Sequence, residues 1–566
     1  MESTGFDNSW GEKRKRKTPV VAVKFLHKGG ADLKKYLKKI GKELGIFIFL
    51  TFLSYLFYSL IPYYTKILFE GEYKKAIIGY TVCLSAFVTL AYFCNITQTK
   101  YKLKFDKVLK EDYFNKVTSL NYEDFSKKKV GEYISFQAND ITEIGNDYLA
   151  PLMGIVTQTI RVVTYFVIIT LSLDLKVGLM LIGVSFLGVL FPKSLGAETA
   201  KRRNNYLDYQ KEYYSKIEEI FNGFKVINFR TRNNIREEHN DNLKRVLDER
   251  YKYGKANGLM WALNGLGSES LNYITFLYLG YLTFKGNISA GFAIATFQYA
   301  QSLMEPVHEI LYYMNMTNSS KEMVNSFLTF VEGDKEEEKK TPINSFKEIT
   351  MINLSKSYEN FSLQNINFKL EKNKKYALIG LNGSGKSTFF NILSSYIEDY
   401  SGEFKADGKD IKEIETSYLI GTMNQEEYIF SQSFHDNITV FNSYENVDNN
   451  PFISDAERLK ESNNCKVLSG GEKKLIALSR LINKNTPIIL LDEPFSAVDE
   501  SKKEDLLNKI LSLDKTVVMI THDIGENLKS FDEILFMEGG KLIYTLPYEE
   551  LKDKREFKVL QNAVNI

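Results

Sequence analysis

Apolar residues are spread unevenly along the chain. After a polar, basic stretch over residues 1–42, apolar runs occur at about 44–63, 77–97, 152–173, 177–197, 259–284 and 288–318. Each is long enough to cross the roughly 30 Å hydrocarbon core of a bilayer as a helix, so the pattern predicts six membrane spans. The third and fourth runs are separated by a short turn around Asp174 and Lys176, and the last is interrupted by Gln298, Gln301, Glu305 and His308. Beyond Phe330 the pattern changes. Glu332 to Lys340 reads EGDKEEEKK, a solvated charge run that marks a linker. From about residue 347, strand-like runs at Tyr376 to Ile379, Ile488 to Leu491 and Val517 to Ile520 alternate with helical stretches, as in a parallel sheet covered by helices on both faces. The expected organisation is a cytoplasmic basic tail over 1–30, an all-α membrane domain over 31–330, a charged linker over 331–346 and a soluble α/β domain over 347–566.

Charge sets the expected orientation. The stretches at about 98–150 and 198–258 read as loops rich in Lys and Arg, among them Lys127, Lys128, Lys129, Arg202 and Arg203, whereas the links near 64–76, 174–176 and 285–287 are short. The excess of positive charge on cytoplasmic loops then places both long stretches and both termini in the cytoplasm. Lys13 to Lys17 reads KRKRK, with no apolar core of signal-peptide type before the first run.

Composition excludes other classes. The 566 residues hold 73 Lys+Arg against 71 Asp+Glu, a net charge of +2, which gives no bulk field for nucleic acid. Hydrophobic content of 44% and charged content of 25% rule out a disordered chain. Cys83, Cys94 and Cys465 match neither a disulfide framework nor a metal site and read as small hydrophobes. The mean hydropathy of -0.24 looks soluble only because it averages an apolar half with a charged one.

Tyr376 to Thr388 reads YALIGLNGSGKST, a phosphate-loop pattern that follows a strand and opens a helix, the context the motif needs. Gly380, Asn382, Gly383, Ser384 and Gly385 form a turn whose backbone N–H groups face phosphates. Lys386 reaches the terminal phosphates, Ser387 suits a Mg²⁺ ligand, and Thr388 lies in the first helical turn. Downstream, Ile488 to Pro494 reads IILLDEP. Asp492 at the strand tip suits the Mg²⁺ shell, and Glu493 suits a general base acting on water. Between the two lies LSGGE, Leu468, Ser469, Gly470, Gly471 and Glu472, which opens a helix and so offers backbone donors to a phosphate.

Phosphate loop, LSGGE and LLDEP in this order resemble the ATP-binding cassette family of transport ATPases, and six spans followed by one cassette resemble its half-transporter exporters. The resemblance implies ATP and Mg²⁺ as ligands. It implies that Gln425 in TMNQE touches Mg²⁺ and signals toward the membrane, that Ser496 to Asp499 (SAVD) joins two ATP sites, and that His522 in ITHD contacts the γ-phosphate. Tyr358 in SKSYEN is similar to the aromatic that stacks on adenine. In the family, LSGGE acts on the ATP of a partner chain, so one phosphate loop and one LSGGE per chain imply a dimer. With every catalytic position intact, the partner is expected to be a second copy. Asn121 to Asp140 and Glu219 to Arg230 are similar to the exporters' two coupling segments, and Phe292 to Pro306 to their sixth span. The sequence departs from the family in four places: only about 43 residues separate Gln425 from Leu468, no TEVGE-like run precedes LSGGE, Glu472 stands where Gln is more frequent, and Val498 where Leu is.

Ionisable groups in membrane spans are functional candidates by default. Arg161 lies in the third span and Glu269 in the fifth, among Asn264 and Asn272, and these four are the expected cavity residues. A mixed-charge lining rich in Tyr, Phe and Asn suits an exported peptide or other amphipathic compound. The alternatives are a multidrug or lipid exporter of the same architecture, or a membrane ATPase serving as a sensor or ATP-gated channel. The tail ends in HKGG, a double glycine like that of exported-peptide leaders, followed by an expected amphipathic entry segment from Leu33 to Leu44. A bacterial cytoplasmic membrane is the expected location.

Overall fold

The computed structural model describes residues 29–173, 175–189, 193–333, 340–445, 450–454, 456–496 and 498–564. The basic tail, apart from Gly29 and Gly30, and the linker residues 334–339 lie outside them. The chain divides into two compact units, one holding the residues up to Thr118 with Val130–Gly333, the other Ser119–Lys129 with the residues from Asp334 onward.

The first unit is all helix. Helix α1 (Gly29–Lys39) buries Leu33 and Tyr36, and Ile40 is buried just beyond it. Its outward Lys35 and Lys39 pair with Asp112 at 3.4 and 3.6 Å. Helix α2 (Gly41–Ser59) passes into α3 (Ile61–Phe69), which carries Pro62 in its first turn, where a missing N–H costs nothing. Helix α4 (Tyr73–Thr118) has 46 residues, roughly 70 Å of helix at 1.5 Å per residue. After the segment Ser119–Lys129, the helical run α6 (Val130–Ser172) contains two π-helical turns, Phe136–Asp140 and Gly145–Leu149. Next come α7 (Leu175–Val189), α8 (Lys193–Asn222), α9 (Arg232–Phe284), α10 (Ala290–Ser319) and α11 (Lys321–Glu332).

Among the described residues, Gly41–Phe69, Tyr73–Thr118 and Val130–Ser172 are long and apolar enough to cross a membrane. The expected spans at 259–284 and 288–318 fall on α9 and α10, and that at 177–197 on α7 and the start of α8 with residues 190–192 outside the description. The stretches read as loops at 98–150 and 198–258 are helical over most of their length. Hydropathy misses this because the polar ends of α4, α6, α8 and α9 continue each helix without an apolar signal. The core centres on Tyr165 and Tyr299, both about fully buried and edge to face at 5.9 Å. The Tyr299 hydroxyl donates to the Ser59 carbonyl at 2.9 Å.

In the second unit, the segment Ser119–Lys129 contains the short helix α5 (Tyr122–Ser126), capped by the Asn121 side chain. Glu123 accepts the backbone N–H groups of Glu398 and Asp399 at 3.0 and 3.2 Å, and Lys356 stands 3.8 Å from the same carboxylate. Tyr122 lies against Tyr396 with ring centroids 4.8 Å apart.

The strands are β1 (Thr341–Pro342), β2 (Glu348–Ser357), β3 (Ser362–Glu371), β4 (Lys375–Ile379), β5 (Ser401–Ala406), β6 (Lys409–Asp410), β7 (Ile414–Glu415), β8 (Ile420–Met423), β9 (Ile488–Asp492), β10 (Thr516–Ile520), β11 (Glu533–Glu538) and β12 (Lys541–Leu546). A six-stranded sheet runs β12-β11-β4-β10-β9-β8, parallel except at the β11–β12 edge. A four-stranded antiparallel sheet runs β3-β2-β5-β6. Tyr376, Leu378, Leu490 and Val518 enter one core, while Ala377, Ile379, Leu491 and Met519 enter another. Alternate residues of a strand face opposite sides, so a sheet buried on both faces reads as unbroken apolar runs. The short region before LSGGE closes around its own core of Ile429, Phe434, Ile438, Leu459, Cys465 and Ile476, with Cys465 packed as a hydrophobe.

Candidate functional site

The turn after β4 needs glycine at two positions. Gly380 has φ +153, and a Cβ there would lie 2.3 Å from the Met537 carbonyl oxygen. Gly385 has φ +104, and a Cβ would lie 2.8 Å from the Phe361 ring. We expect Gly380→Ala to cost about 2–3 kcal/mol of stability, because strain and overlap add at a backbone neighbour that cannot give way. Chemical denaturation of the full-length protein measures it.

Helix α12 (Lys386–Leu393) starts at the lysine. Lys386 is 7% exposed, donates from Nζ to the Gly380 and Leu381 carbonyls at 2.8 and 3.1 Å, and burial lowers its pKa. The Ser384 hydroxyl is buried without a hydrogen-bond partner. Asn382, Gly383 and Ser387 are exposed at the mouth, and Thr388 is half-buried. Glycine backbone, a buried cation and an unmet hydroxyl fit the oxygens of a polyphosphate.

Strand β9, two places from β4 in the sheet, brings the acids to the same edge. Asp492 ends the strand, and burial, then the neighbouring Glu493, raises its pKa. Glu493 holds a left-handed φ of +46, a conformation rarely kept by a non-glycine residue without a functional reason. One of its carboxylate oxygens lies 2.7 Å from His522 Nε2, and the other accepts from Gln425 Nε2 at 3.0 Å. Gln425 is itself placed by Lys474, which donates to its carbonyl at 2.5 Å. Lys474 sits on α14 (Gly470–Asn483), counted after the short α13 (Phe434–Thr439). On the same helix Arg480 pairs with Glu427 at 3.6 Å and donates to the Asn437 and Tyr428 carbonyls. Lys474, Arg480 and Glu427 escape the sequence reading, since nothing in the run KKLIALSR marks which cation turns inward.

Ser469 caps α14 in a reciprocal box with Glu472: Glu472 N–H donates to the Ser469 hydroxyl at 3.4 Å, and Ser469 N–H and hydroxyl donate to the Glu472 carboxylate at 2.9 and 2.7 Å. Arg458 also binds that carboxylate. The guanidinium offsets the negative charge that Glu472 introduces at the helix start. Leu468 and Gly471 are half-buried and Gly470 exposed. The Ser469 bonds hold the Glu472 pKa below the usual carboxylate range. Stability from such a group is present above the unfolded pKa and lost as pH falls toward the folded one. The melting-temperature advantage of wild type over Glu472→Gln is therefore expected to shrink from about pH 6 to about pH 4.

Ser496 and Asp499 are exposed between β9 and α15 (Glu500–Leu511), and Ser496 N–H donates to the Glu493 carbonyl at 3.3 Å. Glu493, Ser496 and His522 border a cavity of about 510 Å³. Tyr358 is exposed in a turn closed on Phe361, the residue that presses on Gly385, and Lys356 Nζ sits 5.6 Å from its ring centre. The structure thus joins Gln425, Glu493 and His522 by direct bonds, with Asp492 ending β9 and Lys386 opening the helix after β4, two places away in the same sheet. The side chains of Ser469 and Glu472 bond only within residues 458–472 among the described contacts.

In the membrane unit Arg161 pairs with Glu305 at 3.1 Å. The Asn272 Oδ1 is buried without a hydrogen bond, Glu269 is exposed, and the side chain of Asn264 lies outside the description. Among the described residues, Arg161, Glu269 and Asn272 do not line the cavity of about 470 Å³ bounded by residues of α2, α4, α6 and α10.

A phosphate loop, a strand-end acid pair and a capped Ser469 helix on one parallel sheet, following a helical unit with membrane-length apolar runs, define the class: a membrane-linked phosphate-loop ATPase. The family described as ABC transporter matches residues 363–496, and that described as ABC transporter transmembrane region matches residues 44–307. The chain belongs to the ABC transporters. It is 23% identical over 507 residues to a protein described as the multidrug export ATP-binding/permease protein YgaD of Bacillus subtilis (strain 168), covering 83% of this chain and 85% of that one. It is 24% identical over 448 residues to an ATP-dependent lipid A-core flippase of Haemophilus influenzae, covering 74% and 75%. Its fold is similar to that of a bacterial Atm1-family ABC exporter solved with ATP bound, with a TM-score of 0.77 and 16% identity over 93% of this chain and 98% of that one. The chain is an ATP hydrolase coupled to transport, an ATP-driven membrane exporter.

Proposed function

We propose that two copies of this chain, each with six spans, form a homodimer in a bacterial cytoplasmic membrane, with cassettes and termini in the cytoplasm, and export a peptide or other amphipathic compound by alternating access. The observation that supports the homodimer is the completeness of one chain: Lys386, Asp492, Glu493, Gln425 and His522 are all present, while among the described contacts the side chains of Ser469 and Glu472 bond only within residues 458–472. Two copies supply what each lacks.

In this reading Lys386 and the 380–385 backbone grip the phosphates, and Tyr358 stacks on the base. Glu493 takes the proton of the attacking water, and His522 and Gln425 hold its carboxylate in place. Ser387, Gln425 and Asp492 would hold Mg²⁺, which neutralises phosphate charge. Ser496 and Asp499 form the loop between the two ATP sites. A second reading, a glycan or lipid cargo, is favoured by the relatives' names, among them a beta-(1→2)glucan export ATP-binding/permease protein NdvA of Bartonella quintana (strain Toulouse), 25% identical over 432 residues that cover 70% of this chain and 72% of that one, and the flippase above. Mass spectrometry of medium from cells carrying wild type or Glu493→Gln tests the cargo: peptides depleted in the variant are expected, and depletion of glycans or lipids alone overturns the peptide reading.

A further inference from the structure

We infer that Lys474 is a positioning residue for ATP hydrolysis, acting on Glu493 through the backbone and side chain of Gln425; the inference rests on the roles of Glu493 and Gln425 proposed above. Lys474 is 7% exposed on α14. Among the described contacts its ammonium has one hydrogen-bond partner, the Gln425 carbonyl at 2.5 Å. The carboxylates of Glu427, Asp492 and Glu493 are near enough to act on its charge, and none of them is bonded to it among those contacts. Burying an ammonium on a single neutral acceptor is costly, and an apolar side chain of similar volume would pack there without that desolvation. What the lysine contributes is therefore the place at which it holds the carbonyl.

The segment after β8 needs such a hold. Gln425 is exposed, so its carbonyl, released from Lys474, would turn to water. The bonds on either side of it leave it free: Asn424 N–H donates to the Glu427 carboxylate at 2.6 Å, and Arg480, also on α14, donates to the Tyr428 carbonyl at 2.9 Å. Lys474 supplies the described bond that ties the Gln425 backbone to α14. From that anchored backbone the Gln425 side chain reaches out, and its Nε2 donates to one Glu493 oxygen at 3.0 Å. His522 holds the other oxygen at 2.7 Å. The carboxylate is thus oriented from two sides, and Lys474 secures one of them.

The test compares full-length wild type, Lys474→Met, Gln425→Ala and the double variant in lipid nanodiscs. Lys474→Met is expected to lower kcat about tenfold, within what a misplaced reacting group costs. Its affinity for a fluorescent ATP analogue in the absence of Mg²⁺ and its melting temperature are expected to stay at the wild-type values, because the phosphate loop is untouched and an apolar side chain fills the space. Lys474→Arg, which keeps a cationic donor, is expected to recover most of the turnover. Residues that act through one contact are not additive, so Lys474→Met is expected to lower kcat no further when added to Gln425→Ala. If Lys474→Met does not fold, Lys474→Ala, which lets water reach the carbonyl, replaces it. Wild-type kcat in the variant, a loss of affinity as large as the loss of kcat, a kcat loss that tracks a lowered melting temperature, no recovery with arginine, or full additivity with Gln425→Ala overturns the inference. Glu493→Gln is measured beside them. Normal turnover in Glu493→Gln refutes the reading of Glu493, whereas an inactive Glu493→Gln with a fully active Lys474→Met refutes the positioning role alone.

Discussion

Replacing Glu493 by glutamine is expected to lower ATP turnover by about 10²- to 10⁴-fold, the range contributed by a positioned general base, while ATP still binds. Glu493 directly follows strand β9 with a φ of +46, so the main chain is bent to present this side chain. His522 at 2.7 Å and Gln425 at 3.0 Å hold its two oxygens. Glutamine keeps the length and planarity of the group, so the site keeps its shape, but an amide does not accept the proton of an attacking water. His522→Ala is expected to cost less, since it removes only one of the two orienting bonds. Phosphate release measures the first effect, and ATP retained on the protein after gel filtration measures the second half of the claim. Normal turnover in Glu493→Gln would remove Glu493 from the chemistry.

Lys386→Ala is expected to weaken ATP binding by about 10- to 100-fold. A hydrogen bond to a charged group contributes about 1.5–3 kcal/mol, and each 1.4 kcal/mol is about tenfold in affinity. Lys386 is 7% exposed, and its pKa is lowered by burial, so its ammonium carries a desolvation cost that the Gly380 and Leu381 carbonyls and the nearby Glu493 and Asp492 carboxylates offset in part and phosphate oxygens would offset further. Removing it takes the ammonium from the Gly380 carbonyl, while the Leu381 carbonyl keeps the Ser384 N–H at 3.1 Å, and leaves the phosphates without their cation. Fluorescent-nucleotide titration of the full-length protein checks the size of the loss, and unchanged affinity would contradict this account of the loop.

The parts of this site that the sequence makes legible are those where local geometry demands a residue type. Gly380 and Gly385 sit where a Cβ would strike Met537 or Phe361, and the buried strands read as unbroken apolar runs because both sheet faces are covered. Ser469 and Glu472 are visible for the same reason, being three residues apart at a helix start. What is not legible is what the chain joins at long range. Lys474 reaches Gln425 across 49 residues, and Glu123 reaches Glu398 across 275, and neither residue differs in kind from its exposed neighbours. The membrane unit shows the same limit. Hydropathy finds the apolar middle of α4 and α9 but not their polar ends, and it singles out charged residues whereas the described residues that line the cavity are neutral.

The central claim, export driven by hydrolysis, is tested most directly in inside-out membrane vesicles loaded with a cytosolic peptide fraction on the outside. With wild type and ATP, at least one peptide is expected to accumulate inside against its gradient, and with Glu493→Gln or a non-hydrolysable analogue none does. Equal accumulation without hydrolysis would show a channel, and vesicles that hydrolyse ATP yet accumulate no peptide, glycan or lipid would contradict the account outright.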